Sequence, residues 1–417
     1  MHIAIIGAGA AGCFCAINLK RQCPDLNISI YEAGRKALAK VAITGGGRCN
    51  LTNTFKQVSD LKQVYPRGDK LMKRALMRFS EKDLCNWFEG EGVKLVAQED
   101  ECIFPASQDA MQIVNTLLGN IHRLGIALQT SHKVTQIEHS KDGRYRLRFQ
   151  NEAQGEIQAD YVVVCSGGHP TKKGFEMFSS LDLQVIAPLP SLFTLNIAGN
   201  WHQTLMGTVV ENASVMIAGT KFKSHGALLL THWGMSGPAI LKLTSYAARH
   251  LAEQNYRGNL LINWFGTSSE IEIKQELSTF MRDYPARQVT NEYPRHLSSR
   301  HWHYLITKSN ISETQRWGTI NSKEFNRLVT TLTADPYMVT GKCPFKEEFV
   351  TCGGVALSNI NINTLEAKKH PGLFLAGEVL DVDAVTGGFN LQAAWSTGYI
   401  ISQEIALRLQ ADSTPHM

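Results

Sequence analysis

His2-Ile3-Ala4-Ile5-Ile6-Gly7-Ala8-Gly9-Ala10-Ala11-Gly12 follows Met1, and Asn27-Ile28-Ser29-Ile30-Tyr31-Glu32 comes one helix length later. The isoleucine-rich His2–Ile6 segment reads as a short buried strand. Ala10 to Gln22 reads as a helix with small residues on one side, ended at Pro24-Asp25. Asn27 to Tyr31 reads as a second strand. Between strand and helix lies a G-x-G-x-x-G turn. Gly7 allows the tight turn, Gly9 lets backbone approach a pyrophosphate, and Gly12 permits helix to pack on strand. The helix N-terminus then offers free N–H groups and a positive dipole end to phosphates. Glu32 stands about 20 residues after Gly12, where a carboxylate accepts hydrogen bonds from ribose hydroxyls and repels a 2′-phosphate. Strand, loop, helix, strand and acid in this order predict a dinucleotide site of the FAD or NAD kind. Ala10, Ala11 and Ala33 belong to it by position.

A second glycine cluster follows: Thr44-Gly45-Gly46-Gly47-Arg48-Cys49-Asn50. Three successive glycines do not suit a regular element. They suit backbone lying against a flat ring, with N–H groups free to bond its polar edge. Arg48 is read either as a cation for an anionic ring or substrate, or as an anchor of its own loop. Cys49 has no partner cysteine nearby in sequence, so a buried thiol is expected.

The 417 residues carry 43% hydrophobic and 19% charged side chains, with a net charge of +5. That balance is globular and excludes a disordered chain. Length predicts two or three domains. Basic residues cluster at Arg67, Lys70, Lys73, Arg74 and Arg78, and again at Arg295, His296, Arg300, His301 and His303. Both are read as solvated faces, so a nucleic-acid partner is not expected. The nine cysteines show no CxxC pair and no zinc-ligand spacing, which predicts reduced thiols, no metal site and a cytoplasmic setting. The apolar Ile3–Leu19 stretch lacks a basic lead and carries the spaced glycines, so it is not read as a signal peptide. No stretch has the apolar length to span a membrane.

The sequence resembles the HI0933/BaiN-like family of FAD-dependent oxidoreductases. The resemblance rests on Lys40 to Asn53 (KVAITGGGRCNLTN), Phe104-Pro105-Ala106-Ser107, Cys165 to Pro170 (CSGGHP), Thr231 to Pro238 (THWGMSGP), Thr351 to Val355 (TCGGV), Gly377 to Asp381 (GEVLD) and Thr386 to Gln392 (TGGFNLQ). It spans residues from about 2 to 402. One departure is a glycine that the family often has before the triple-glycine loop, replaced here near Leu38.

The resemblance implies FAD as the cofactor. It implies an α/β fold in which a Rossmann-like, glutathione-reductase-like FAD-binding domain holds an inserted β-barrel with a small helical domain. The expected boundaries are 1–187 and 341–417 for the FAD domain and 188–340 for the insert, with a helical unit at about 268–330. Alternating apolar runs from Thr194 to Leu230 suit the barrel. Ile271 to Arg282 and Ser322 to Leu332 have helical spacing, with a polar Arg/His stretch between. Asp160 to Cys165 reads as a strand ending at Ser166-Gly167-Gly168, and Val134 begins a strand near the adenine. Gly372 to Leu375 leads into Gly377, Glu378 and Asp381, where acids can meet ribityl hydroxyls. A helix beginning at Asn390 and Leu391 aims its N-terminus at the ring's pyrimidine edge. With Lys40 and Thr44, these residues complete the expected cofactor site.

Three activities follow as readings. The first is an FAD-dependent reductase of a small organic substrate, by resemblance of an enone or steroid-like kind. The second is an amine-type oxidase using oxygen. The third is a flavoprotein that binds RNA or a protein through the basic insert. No second complete G-x-G-x-x-G unit exists, so NAD(P)H is expected only as a transient electron donor. His232 is read as a turn residue before a substrate contact, and no catalytic acid or base is assigned. Oligomeric state is open.

Overall fold

The computed structural model describes residues 1–199, 202–343 and 350–412. They form two compact units, one of Met1–Pro190 with Val350–Met417, the other Ser191–Phe349.

In the first unit, His2–Ile6 is the central strand of a five-stranded parallel sheet. The order is Leu373–Leu375, Tyr161–Val164, His2–Ile6, Asn27–Tyr31, Ala127–Gln129. Ile3 to Ile6 and Val162 to Val164 are buried, as befits strands covered on both faces. Helix Ala10–Gln22 returns along the sheet and packs on the C-terminal helix, Phe389–Asp412. Small residues allow that approach: a Cβ at Gly398 would lie 2.5 Å from the Ala11 carbonyl oxygen. Phe14 then meets Phe79, Trp87, Phe88 and Trp395 at 4.8–6.4 Å between centroids. The C-terminal helix runs on to Asp412, with Ile405 and Ala406 still buried. A three-stranded antiparallel sheet, Val134–His139, Tyr145–Phe149 and Glu156–Ala159, flanks the parallel one in sequence.

In the second unit, six antiparallel strands close a barrel. Their order is Leu195–Ile197, Gly234–Ser236, Lys223–Leu230, Val209–Ile217, Gly258–Asn263, Asp335–Lys342. The last strand runs past residue 340. Helix Pro238–Tyr246 packs on the barrel through Ala239, Ile240 and Leu243, all fully buried. The helical region comprises Glu270–Asp283, Ser299–Lys308 and Ser322–Thr333. Reciprocal capping fixes two starts, Ser269 with Glu272 and Asn321 with Glu324. The middle helix lies in the stretch read from sequence only as polar. Its buried face is His301, Trp302, Leu305 and Ile306, which the surrounding Arg and His residues disguise. Trp302 and Trp317 donate their indole N–H to the Val289 and Glu292 carbonyls at 2.8 and 2.9 Å, pinning the connecting loop.

No helix among the described residues is long and apolar enough to cross a membrane.

Candidate functional site

The first unit gathers its glycine-rich segments at the C-terminal ends of the parallel strands, where open α/β sheets bind ligands. The three motif glycines have different physical reasons. A Cβ at Gly7 would lie 2.4 Å from the Cys165 carbonyl oxygen, and one at Gly12 would lie 2.0 Å from that of Gly7. Those two glycines are demanded by the protein's own packing. A Cβ at Gly9 would meet nothing within 4 Å. Gly9 is also the N-cap of helix Ala10–Gln22, with no side-chain cap and no acid in the first turn. The helix therefore ends in free N–H groups facing open space, which fits a pyrophosphate.

Glu32 closes this end. Its carboxylate accepts from the Ala8 N–H at 2.8 Å and the Gly34 N–H at 2.6 Å, beside exposed Ala33. Four lone-pair sites leave room for ribose hydroxyls as well. The segment before Val134 is bound to the same turn: His132 N–H donates to the Glu32 carbonyl at 2.8 Å and Ser131 N–H to that of Gly34 at 2.9 Å. Val134 is buried opposite Phe149, whose ring lies 5.1 Å from Tyr31.

Leu38 explains the departure at its position. It has φ +57°, the left-handed region that favours glycine, and its N–H donates to the Ala8 carbonyl at 2.8 Å. Its side chain is 1% exposed, so burial offsets the backbone cost.

The next segment, Ala39–Gly47, starts as a helix and leaves helical geometry at Thr44 (ψ 148°), Gly45 and Gly46. Gly45 is exposed but has no room for a side chain, since a Cβ would lie 2.9 Å from Asn50 N and 3.0 Å from the Phe104 ring. Gly46 and Gly47 are open, with nothing within 4 Å of either added Cβ. Left-handed Gly47, right-handed Arg48 and left-handed Cys49 alternate, which turns successive N–H groups toward one concavity. Cys49 N–H is taken by the Thr44 carbonyl at 2.9 Å. Arg48 bonds the Gly45 carbonyl at 3.1 Å and lies 4.5 Å over the Phe104 ring, so it does anchor its loop while its guanidinium stays exposed. Burial pushes the Cys49 thiol up to about 12. The Asn50 amide joins the Thr52 carbonyl (3.1 Å) to the Gly388 N–H (3.3 Å).

Glu378 is the junction that sequence reading missed as such. Its Oε2 pairs with Lys40 at 3.2 Å, and its Oε1 accepts from the Thr351 N–H at 2.7 Å. A Cβ at Gly168 would lie 2.6 Å from Glu378 Oε1 and 2.5 Å from Thr351 Oγ1. Residue 40, the Ser166–Gly168 turn and the 351 and 378 segments thus meet at one carboxylate. His169 bonds Ser166 Oγ at 3.1 Å, and burial, with the Lys40 charge, holds its imidazolium form down. Gly377 has φ +71°, and a Cβ there would lie 3.4 Å from the Ala11 Cβ. Its N–H donates to Thr397 at 3.0 Å. Asp381 accepts from the Gly353 N–H at 3.1 Å.

Asn390 is used locally: its amide bonds both the N–H and the carbonyl of Ala384 at 2.9 Å. It shapes the lead-in to the helix, while half-buried Leu391 follows in the first turn. Buried Asp383 forms a two-pronged pair with Arg67, a contact without a sequence signal because the residues are far apart in the chain. His232 is exposed and stands edge-on to Trp233 at 4.2 Å. Among the described residues no group of three or more His, Cys, Asp or Glu side chains could hold a metal ion.

Open glycines, uncapped N–H groups and the Glu32 carboxylate together fit a dinucleotide. The comparisons with known proteins agree. The HI0933-like protein Rossmann domain model matches residues 1–404. A ribosomal RNA dihydrouridine synthase from Escherichia coli is 27% identical over 410 residues, covering 96% of this chain and 97% of that protein. A 3-dehydro-bile acid delta(4,6)-reductase from Clostridium scindens is 24% identical over 423 residues, covering 98% and 99%. An E. coli quinol fumarate reductase FrdA structure superposes with TM-score 0.50 at 15% identity, covering all of this chain and 72% of its own, which is a likeness of fold. The chain belongs to the HI0933-like family of FAD-dependent oxidoreductases.

Proposed function

We propose that this chain is an FAD-dependent reductase that saturates a carbon–carbon double bond conjugated to a carbonyl group. The observation that carries the reading is the shared chemistry of two relatives matched end to end. Making dihydrouridine saturates a ring double bond conjugated to a carbonyl, and a delta(4,6)-reductase of a 3-dehydro acid saturates a double bond conjugated to a 3-ketone. Both add a hydride to the carbon remote from the carbonyl and a proton to the neighbouring carbon.

FAD, when bound, supplies the hydride chemistry. The chain's own residues bind and orient. In this reading Gly7 to Gly12 hold the pyrophosphate and Glu32 the ribose, with Val134 walling the adenine. Lys40, Ser166 to Gly168, Gly377, Glu378 and Asp381 line the ribityl region. Thr44 to Asn50 and the helix start at Asn390 and Leu391 face the ring. Arg48 stays outside at the loop, placed to meet an anionic or carbonyl oxygen. NAD(P)H, visiting transiently, is the proposed source of the hydride.

The test is anaerobic. The flavoprotein is reduced and mixed with a simple enone, with a 3-keto-4,6-diene steroid, or with a uridine-containing RNA. Return of the oxidised flavin band with formation of the saturated product supports the reading. No reoxidation by any of the three, alongside rapid reoxidation by oxygen with an amine substrate turned over, would overturn it.

A further inference from the structure

Arg48 is held in place without being neutralised. Its Nε donates to the Gly45 carbonyl at 3.1 Å, its guanidinium carbon stands 4.5 Å over the Phe104 ring, and its Nη1 faces Gln108 Oε1 at 3.5 Å. Among the described residues it forms no ion pair, and its Nη2 has no hydrogen-bond partner. Arg21, Arg67 and Arg408 of the same unit are instead matched by Glu91, Asp383 and Glu366. Arg48 is exposed, and its charge is left uncompensated.

The supports are themselves fixed. Phe104 lies in strand Cys102–Pro105, between Thr52–Asn53 and Leu95–Ala97, and is 3% exposed. Gln108 has φ +55°, where a non-glycine residue stays only when its surroundings hold it. Its backbone N–H and its Nε2 both donate to the Pro105 carbonyl, at 2.9 and 3.1 Å. With the amide nitrogen spent there, the amide oxygen is turned to Arg48 and to Gln98 Nε2, which lies 3.4 Å away. Both contacts are long, so Gln108 acts through its dipole and steers the cation without cancelling it. A guanidinium with neutral supports suits an oxygen that gains negative charge during a reaction, because fixed donors stabilise developing charge without reorganising.

We infer, resting on the reductase reading proposed above, that Arg48 receives the substrate's carbonyl oxygen as it becomes an enolate, and that Gln108 is the positioning residue that aims it. Hydride from the reduced flavin bonds to the carbon remote from the carbonyl. The double-bond pair shifts toward the carbonyl, whose oxygen takes the negative charge. Water then protonates the neighbouring carbon, leaving hydroxide, and the carbonyl re-forms.

A phenolate is a stable stand-in for the enolate. The oxidised flavoprotein is titrated with 4-nitrophenol, followed by the flavin and phenolate absorption bands, over a pH series that separates the neutral phenol from its anion. Wild type is expected to bind the anion at least about tenfold more tightly than the neutral form. Arg48→Met should lose that preference. Gln108→Glu keeps the side-chain shape and sets a carboxylate against Arg48. It should lose at least about tenfold in phenolate affinity while binding the neutral phenol like wild type. Gln108→Leu, which removes the oxygen without adding charge, should lose about threefold. In anaerobic reoxidation by an enone, Gln108→Leu should lower kcat with KM within about twofold of wild type. Equal phenolate affinity in wild type and Arg48→Met, or in wild type and both Gln108 variants, would overturn the inference. Enone reduction at the wild-type rate in Arg48→Met would also overturn it, and would leave the reductase reading standing. An Arg48-dependent preference for phenolate in a protein that reduces no enone would do the reverse.

Discussion

Replacing Gly9 and Gly12 separately by alanine discriminates a ligand cradle from an ordinary tight turn. At Gly9 the backbone sits at φ −88°, ψ −167°, open to any residue, and the new Cβ meets nothing within 4 Å. Removing glycine's unfolded-state freedom then stabilises the flavin-free protein by about 0.4–1 kcal/mol. The same methyl group intrudes where a pyrophosphate would lie on the helix N-terminus. A tenfold loss of FAD affinity corresponds to about 1.4 kcal/mol. With wild type at an FAD concentration a hundredfold above Kd, ligand stabilisation is about 2.7 kcal/mol, and in the variant it falls to about 1.4 kcal/mol. Gly9→Ala is therefore expected to melt at or above wild type without FAD and below it with FAD. At Gly12 the Cβ would stand 2.0 Å from the Gly7 carbonyl oxygen, so the strand–helix contact must open. That variant is expected to lose at least about 1–3 kcal/mol with or without FAD. The assay is thermal melting of flavin-free and FAD-loaded protein, with Kd from quenching of flavin fluorescence. Wild-type FAD affinity in Gly9→Ala, or destabilisation of its flavin-free form like that of Gly12→Ala, would refute the reasoning.

Three further outcomes follow from buried groups. Leu38→Gly relieves a left-handed residue worth about 1–2 kcal/mol but empties a site 1% exposed, at about 2–5 kcal/mol; a net loss in urea unfolding is expected, and a gain would show that the side chain does not hold this turn. Cys49, buried with its thiol pushed up to about 12, should resist iodoacetamide at pH 8 in the folded protein, as read by peptide mapping; fast labelling there would contradict its burial. His301 is held down to about 3 by burial, with His296 and Lys308 nearby, and neither ring nitrogen has a partner. The unfolded chain takes up this proton near pH 6.5 and the folded one does not, so stability falls as pH drops from 6.5 toward 3, by about 1.4 kcal/mol per unit. Asp335, whose carboxyl is raised by burial, works in the opposite sense at the acid end. His301→Phe, which keeps a ring against Trp264 (centroids 4.3 Å apart), should flatten the slope between pH 6 and 4; an unchanged slope would exclude His301 as its source.

What the sequence made legible was what local chemistry decides. His2–Ile6, Ala10–Gln22 and Asn27–Tyr31 form where the pattern places them, because a strand, a glycine turn and a helix are set within a few residues. The barrel was legible as a kind of fold but not in its closure. Asp335–Lys342 returns to pair with Leu195–Ile197 across more than a hundred residues, and alternation in one segment says nothing of its partner. Helix Ser299–Lys308 was hidden because its four buried positions lie among Arg, His and Lys. At the site, the glycines were legible as glycines, but not which were packed and which open. Arg67 with Asp383, and Glu378 with Thr351, join segments distant in sequence, and no spacing rule reaches them.

The distinction between packed and open glycines carries the functional reading furthest. Gly7, Gly12, Gly45 and Gly168 are each forced by an atom of the protein itself, whereas Gly9, Gly46 and Gly47 face space that no side chain fills. A fold needs the first group. Gly46 and Gly47 have positive φ, which favours glycine in itself, so of these three Gly9 alone has neither a packing nor a backbone-angle reason to be glycine. Within the glycine-rich segments of the candidate site, open glycines lie at the first helix N-terminus and in the 46–47 loop; turns elsewhere, such as Gly92, Gly125 and Gly143, have them too. Glu378 ties the Lys40 segment to the turn after strand Tyr161–Val164 and to the Thr351 segment. In the function proposed above, the chain's contribution at the cofactor is mostly backbone, and substrate contacts fall to side chains beyond that frame, with exposed Arg48 the proposed first of them.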